Sequence, residues 1–276
     1  MLLDARPLVE EKIIFLKNMV QALDIKAKLV IVRVDGDQAS AKYVNNKIKL
    51  CQEVGIESEI VLLPSSVSNS HVEEVIKDLN KDKKVTAILL QLPLPPQLDE
   101  KYLTELINPK KDADGFTSEN LGKLMQGNSK NPIACTPSGI MELLSYYGVQ
   151  LEGKNVVIIN RSNIVGKPLA LLMLEKNATV TIAHSRTKDL KKLTREADIV
   201  VTAIGKPKFF KAEDFKKDWT VVIDVSINLD ENGKLCGDVD KADYEKINAI
   251  SPVPNGVGRM TVLSLIEQTI KMFVRN

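Results

Sequence analysis

The strongest constraint on this chain is its alternation of short, continuous apolar runs with longer segments of helical periodicity. KLVIVRV (28–34), ESEIVLL (57–63) and KVTAILLQL (84–92) read as strands. Between them, residues 41–54 and 70–80 read as helices, the first stopped by Gly55, and residues 7–23 read as a helix ahead of the first strand. Strands separated by helices need crossover connections, so this alternation predicts a parallel sheet. A second series begins near residue 137, with a helix over 136–149 that has Thr136 as its cap, Pro137 in its first turn and Gly148 after its end. Strands at 154–160, 178–184, 198–204 and 220–227 follow, with a loop and helix over 161–177 and a helix over 187–197. This is a Rossmann-type series. An amphipathic helix over 261–274 ends the pattern.

The 276 residues suffice for two ordinary domains. With 38 basic and 36 acidic residues the net charge is +2, which gives no field to draw in nucleic acid or an anionic membrane. Cys51, Cys135 and Cys236 are far apart and odd in number, so neither a disulfide framework nor a C-x-x-C metal motif is expected. No metal site is expected. No segment reaches the ~20 apolar residues of a membrane span, and MLLDARPLVEEK does not read as a signal peptide. A cytoplasmic enzyme or binding protein is expected.

In parallel sheets, ligands bind outside the carboxyl ends of the strands. Tyr43 and Lys47 fall just beyond the first strand, four residues apart on one helix face, and Gln91 falls at the end of the third. The Y-x-x-x-K spacing occurs in short-chain dehydrogenases, but there it follows the nucleotide-binding strands, whereas here it precedes them by more than a hundred residues. The nucleotide site is placed at RSNIVGKP (161–168), which has only Gly166 left of a G-x-G-x-x-G fingerprint. Arg161 and Ser162 offer a cation and a hydroxyl there, next to a helix N-terminus. The next strand ends in His184, Ser185 and Arg186, with no carboxylate for a ribose 2′-hydroxyl, so the cofactor is expected to be NADP, its 2′-phosphate met by Arg161 and Ser185. His184 is given no catalytic role. QLPLP (91–95), KDADGF (111–116) and SPVPNGVGRMT (251–261) each read singly as turn chemistry.

Taken in order, ASAKYVNNKIKLC, QLPLP, PKKDADGF, CTPSGI, RSNIVGKP, ADIVVTAIGKP, VVIDVSIN, GDVD and PVPNGVGRMT resemble the bifunctional methylenetetrahydrofolate dehydrogenase/methenyltetrahydrofolate cyclohydrolase family, from about residue 28 to the C-terminus. The resemblance implies NADP-dependent oxidation of 5,10-methylenetetrahydrofolate, then hydrolysis of the methenyl cation to 10-formyltetrahydrofolate. It implies Lys47 as the central catalytic group, placed and tuned by Tyr43 and Gln91. Asp114 matches the pterin-binding carboxylate, and Ser40, Tyr43, Pro254 and Gly258 match substrate-binding positions. Thr136, Asn160, Arg161, Ser162, Ser185 and Ile227 fall at cofactor-binding positions. The implied fold class is α/β, with two domains flanking a cleft. The first is a folate domain over 1–136 that regains the C-terminal helix 262–276; the second is an NADP-binding Rossmann domain over 137–261. A homodimer is implied as well.

The chemistry suits these residue types. Hydride loss from the N5–CH2–N10 carbon releases no O–H proton, so it asks for positioning more than for a base. Hydration takes a proton from water and returns one to a ring nitrogen, which a lysine with its pKa lowered toward neutrality can do. Gln91 can bond the amine without adding charge. A dehydrogenase with weak or absent cyclohydrolase activity is the alternative. The chain departs from the family pattern at Asn160, Ser226 and Asn255, each in place of Gly, at Arg259 in place of Pro, and at Ala134 in place of Pro. Asn160 and Asn255 are expected to keep the glycine backbone path by adopting positive φ.

Overall fold

The computed structural model describes residues 1–128, 130–216 and 219–275. They form two compact units, the first made of Glu11–Ile133 with Val262–Asn276 and the second of Met1–Glu10 with Ala134–Thr261.

In the first unit, α1 (Arg6–Ala22) leads to β1 (Lys28–Val34), α2 (Gln38–Val54), β2 (Glu57–Leu63), α3 (Asn69–Lys81) and β3 (Ala87–Leu90). The sheet order is β2-β1-β3 and both pairings are parallel. β1 lies in the middle, so its apolar run is covered on both faces, and Leu29 to Val32 have no exposed surface. Helix α3 starts where the Ser68 hydroxyl accepts from the His71 N–H, and it buries Val72 and Ile76, one turn apart, against the sheet. Two helices lie within stretches that carry no helical reading in the sequence: α4 (Glu100–Glu105), capped by Asp99, and α5 (Ser118–Met125). Both are too short for a periodic pattern to stand out.

The second unit contains α6 (Cys135–Tyr146), β4 (Asn155–Ile159), α7 (Gly166–Leu174), β5 (Thr179–Ala183), α8 (Leu190–Glu196), β6 (Ile199–Thr202) and β7 (Val221–Asp224). A short hairpin, β8 (Asn228–Leu229) and β9 (Leu235–Cys236), then β10 (Ala249–Ser251) and the start of α9 (Val257–Arg275) complete it. The sheet is parallel throughout, in the order β10-β7-β6-β4-β5. The chain order reverses between β4 and β6, which is the doubly wound, Rossmann-like arrangement. β10 is only three residues long and carries no strand signal of its own. It is a strand because it pairs with β7 and because the N-terminal residues pair with it in turn. Leu2 bridges Ile250, and the Leu3 N–H donates to the Ile250 carbonyl at 2.8 Å. Residues 1–10 thus group with the second unit, whereas the bounds read from the sequence assign them to the first.

Two helix starts differ from the sequence reading. Helix α6 begins at Cys135, with Ala134 at the cap position, so Thr136 is not the cap. Its hydroxyl instead pairs with Thr261 Oγ1 at 3.0 Å. Helix α9 begins at Val257 rather than 261, immediately after Asn255 turns the chain with φ 82°. Gly139 on α6 sits where a Cβ would stand 2.7 Å from Met260 Cβ and 2.9 Å from its backbone carbon on α9. No flexible side chain can yield there. Gly139→Ala is therefore expected to lower stability by about 1–3 kcal/mol through overpacking, measured as a fall in urea midpoint at unchanged m-value.

Candidate active site

The first unit presents a polar cluster at the carboxyl ends of β1 and β3, where its sheet order reverses. Helix α2 follows β1, and its buried positions Ser40, Val44, Lys47, Cys51 and Val54 recur every three or four residues, each below 9% exposure. Lys47 thus occupies an inward position that a soluble helix ordinarily gives to an apolar side chain. This spacing is a signal for Lys47 that is present in the sequence and independent of the Y-x-x-x-K pattern. Lys47 Nζ donates to Gln91 Oε1 at 2.9 Å and lies 4.9 Å from the ring centroid of Tyr43, a cation–π distance. Gln91 directly follows β3, its N–H donating to the Val32 carbonyl of β1 at 2.8 Å, and its side-chain amide donates to the Leu92 carbonyl at 2.7 Å. Both amide atoms of a buried side chain are therefore used, which fixes the oxygen toward the lysine.

Asp114 lies on a loop pinned to the same strand. Ile88 N donates to the Lys111 carbonyl and Ala113 N to the Ile88 carbonyl, so the loop is bridged to β3 just before Asp114. Asp112 is buried and turns inward, accepting from Thr117 N at 2.8 Å and Asn120 Nδ2 at 3.0 Å. It shapes the loop, while Asp114 is half-buried. Gln268 of α9 donates to the Ala113 carbonyl at 2.6 Å and holds Ile133 as well. Neither Gln268 nor Asn120 stands out in the sequence, because each is separated from its partner by residues without any pattern.

In the second unit, the loop behind β4 is organised by one side chain. Asn160 Oδ1 accepts from Ser162 N at 2.8 Å, Ser162 Oγ at 2.7 Å and Gly166 N at 3.1 Å. Its Nδ2 donates to the Ala203 carbonyl at 2.8 Å, across the reversal point between β4 and β6. A Cβ on Gly166 would stand 2.0 Å from the Asn160 carbonyl oxygen, so only glycine fits that close approach. The expectation of positive φ at Asn160 is not met; the residue acts through its amide. Asn255 does adopt positive φ. Its Oδ1 accepts from Arg259 Nε at 3.0 Å, and its carbonyl accepts from Ala5 N at 2.8 Å.

Arg161 is exposed at the end of β4, and Ser185 and Arg186 are exposed at the end of β5. These strands are neighbours, so two guanidinium groups and two hydroxyls, those of Ser162 and Ser185, stand along one sheet edge. No carboxylate lies among residues 184–186, a donor set that fits a phosphate-bearing nucleotide. His184 Nδ1 accepts the Arg186 N–H at 3.1 Å, a turn-forming bond in keeping with a structural histidine. Ile227 is 55% exposed, and its Cδ1 would meet a Cβ on Gly258 at 3.1 Å. Pro254 is exposed at the loop before α9. Among the described residues no group of three or more His, Cys, Asp or Glu side chains could hold a metal, and no helix is long and apolar enough to cross a membrane.

Family models match both parts of the chain. The model for the tetrahydrofolate dehydrogenase/cyclohydrolase catalytic domain matches residues 3–114, and that for the NAD(P)-binding domain of the same family matches residues 134–276. The chain belongs to the tetrahydrofolate dehydrogenase/cyclohydrolase family. A relative described as bifunctional protein FolD from Latilactobacillus sakei is 48% identical over 275 residues, covering 98% of this chain and 96% of the relative. The crystal structure of the bifunctional FolD methylenetetrahydrofolate dehydrogenase/cyclohydrolase from Campylobacter jejuni is similar at TM-score 0.96 and 39% identity, covering 100% of this chain and 99% of that one. A Trypanosoma brucei FolD, complexed with NADP cofactor and inhibitor, is similar at TM-score 0.94 and 33% identity, covering 100% and 97%. Lys47, Gln91 and Asp114 thus lie in the stretch matched by the family's catalytic domain, and the Asn160 loop lies in that matched by its NAD(P)-binding domain.

The Asn160 amide ties the N–H donors of Ser162 and Gly166 to the β6 loop. Asn160→Ala is expected to speed amide hydrogen exchange at Ser162 and Gly166 by about tenfold or more, with β1 and β3 of the other unit unaffected.

Proposed function

We propose that the chain is a bifunctional one-carbon enzyme, which oxidises 5,10-methylenetetrahydrofolate with NADP and then hydrolyses 5,10-methenyltetrahydrofolate to 10-formyltetrahydrofolate. The observation that carries this reading is the buried hydrogen bond, 2.9 Å long, between the Lys47 amine and the Gln91 amide in the part matched by the family's catalytic domain. Bound NADP supplies the acceptor for the hydride of the methylene bridge. The protein's part in that step is to hold the reacting carbon in line, which requires no base. Asp114 accepts N–H bonds from the pterin 2-amino group and N3, and Ser40, Tyr43, Pro254 and Gly258 contact the substrate. Thr136, Asn160, Arg161, Ser162, Ser185 and Ile227 hold the nucleotide.

Hydration needs proton transfer. Water adds to the methenyl carbon, and the neutral Lys47 amine takes the proton that water loses. The resulting ammonium gives its proton to N5 as the carbon–N5 bond breaks, and the adduct's hydroxyl gives its remaining proton to the amine, leaving the formyl group on N10 and one proton to pass to solvent. Gln91 serves here because it accepts from the amine in either protonation state. A carboxylate at that place would hold the lysine charged. The Tyr43 ring, 4.9 Å away, stabilises the transient ammonium. The same reading has the enzyme acting in the cytoplasm as a homodimer, with the family resemblance as its support.

Two measurements test this. Wild-type protein should reduce NADP on addition of methylenetetrahydrofolate and then consume methenyltetrahydrofolate, followed by absorbance. Lys47→Met should lose methenyl hydrolysis by about a hundredfold or more, and undiminished hydrolysis would refute the role of the lysine. For cofactor choice, removal of the 2′-phosphate is expected to weaken binding at least ~10-fold, or ~1.4 kcal/mol, and equal affinity for NAD and NADP would count against Arg161 and Ser185 as its partners.

A further inference from the structure

Asp238 is fully buried, and its carboxylate gathers the loops at the carboxyl edge of the second unit's sheet. Its Oδ2 accepts from Thr202 Oγ1 at 2.8 Å, Ile204 N at 2.9 Å and Ser226 Oγ at 2.7 Å. Its Oδ1 accepts from Lys206 N at 2.9 Å and Asn228 Nδ2 at 3.1 Å. These donors come from two places only, the end of β6 with its loop and the loop after β7. Both are strand carboxyl ends, the edge at which parallel sheets take their ligands.

Ser226 and Asn228 stand on either side of Ile227. One bonds each oxygen of the same carboxylate, so the peptide units flanking Ile227 are held at two points. Ile227 itself is 55% exposed. The Ser226 hydroxyl also accepts the Gly205 N–H at 3.0 Å, which joins the β6 and β7 loops directly.

The carboxylate is fixed in its turn. Asp238 N donates to Asp224 Oδ1 at 3.0 Å and Val239 N to Asp224 Oδ2 at 2.9 Å. Gly237 permits this contact, because a Cβ there would stand 1.9 Å from Asp224 Oδ2. Burial pushes the Asp224 carboxyl up to about 7.

We propose that Asp238 is a positioning residue for the nicotinamide cofactor: through Ser226 and Asn228 it sets the backbone on both sides of Ile227, where the nucleotide is held. This rests on the reading of Ile227 as a cofactor-binding position. The carboxylate bonds to Thr202, Ile204 and Lys206 brace the β6 loop, whereas those to Ser226 and Asn228 hold the segment that carries Ile227, which Ser226 also ties to Gly205. Removing the latter pair separates positioning from folding.

The test uses the full chain with Ser226→Ala/Asn228→Ala as the double variant and Ser226→Thr as the variant that keeps the hydroxyl. NADPH binding is read by fluorescence titration, beside the KM for NADP, the methenyl hydrolysis rate and the melting temperature. The double variant is expected to weaken NADPH binding and raise the KM for NADP about tenfold, with hydrolysis within about twofold and the melting temperature lowered by about 5 °C or less, because three donors remain on the carboxylate. Ser226→Thr should bind NADPH as the wild type does. A double variant with wild-type NADPH affinity overturns the proposal. So does one in which NADPH binding, hydrolysis and melting temperature fall together, since that marks a purely structural carboxylate. A wild-type chain that binds no NADPH defeats the cofactor reading itself, and the proposal with it.

Discussion

Parallel strand pairing is the constraint on which the rest of this structure depends. Every pairing in both main sheets is parallel, so within each unit all strand carboxyl ends emerge on one edge. Where the order of connection reverses, loops leave adjacent strands in opposite directions and a ligand can enter between them. In the first unit that point lies between β1 and β3, and the residues just beyond those strands are Lys47, on α2, and Gln91. In the second it lies between β4 and β6, and Asn160 reaches across to the Ala203 carbonyl. The same backbone geometry thus places the buried Lys47–Gln91 pair in one unit and the loop braced by Asn160 in the other.

A second regularity concerns how the loops at these edges are held. Loops lack a backbone ladder, so their buried N–H groups need other acceptors, and leaving one unpaired costs about 1–3 kcal/mol. Here the acceptors are side chains. Asp112 takes the Thr117 N–H, Asn160 takes two N–H groups of its loop, and Asp224 and Asp238 take four between them. Carboxylates and amides at such places act as a rigid substitute for secondary structure. The glycines at 166 and 237 belong to the same device, since each allows a backbone or carboxylate oxygen closer than any Cβ would.

Much of this was legible in the amino-acid order, for particular reasons. β1 and β2 span the residues that their apolar runs mark, 28–34 and 57–63, because Gly and Pro bound those runs. Tyr43, Lys47, Gln91 and Asp114 stand out because their motifs recur in order. Other elements were hidden. β10 is three residues long and owes its strand form to β7 and the N-terminus. Thr136 has the right chemistry for a cap, but Thr261 takes up its hydroxyl, and the helix starts one residue earlier. Asn160 suggested a backbone role by residue type alone, whereas its side chain does the work. Asp238 stood in the GDVD motif but its hydrogen-bonding role gave no signal, and Gln268 gave none at all, since their partners lie ten or more residues away with no periodicity to connect them.

The sequence by itself determined the alternation of strands and helices, the parallel sense of the sheets and the identity of the family, because these depend on local periodicity and on motifs that are contiguous in the chain. It also singled out Tyr43, Lys47, Gln91 and Asp114. Tertiary structure alone decided that the Lys47 amine meets the Gln91 oxygen, that Asn160 braces its loop through its amide, and that one buried carboxylate grips both sides of Ile227. The physical reason is that a hydrogen bond between residues far apart in sequence requires a distance and a direction, and only the packed sheets supply both.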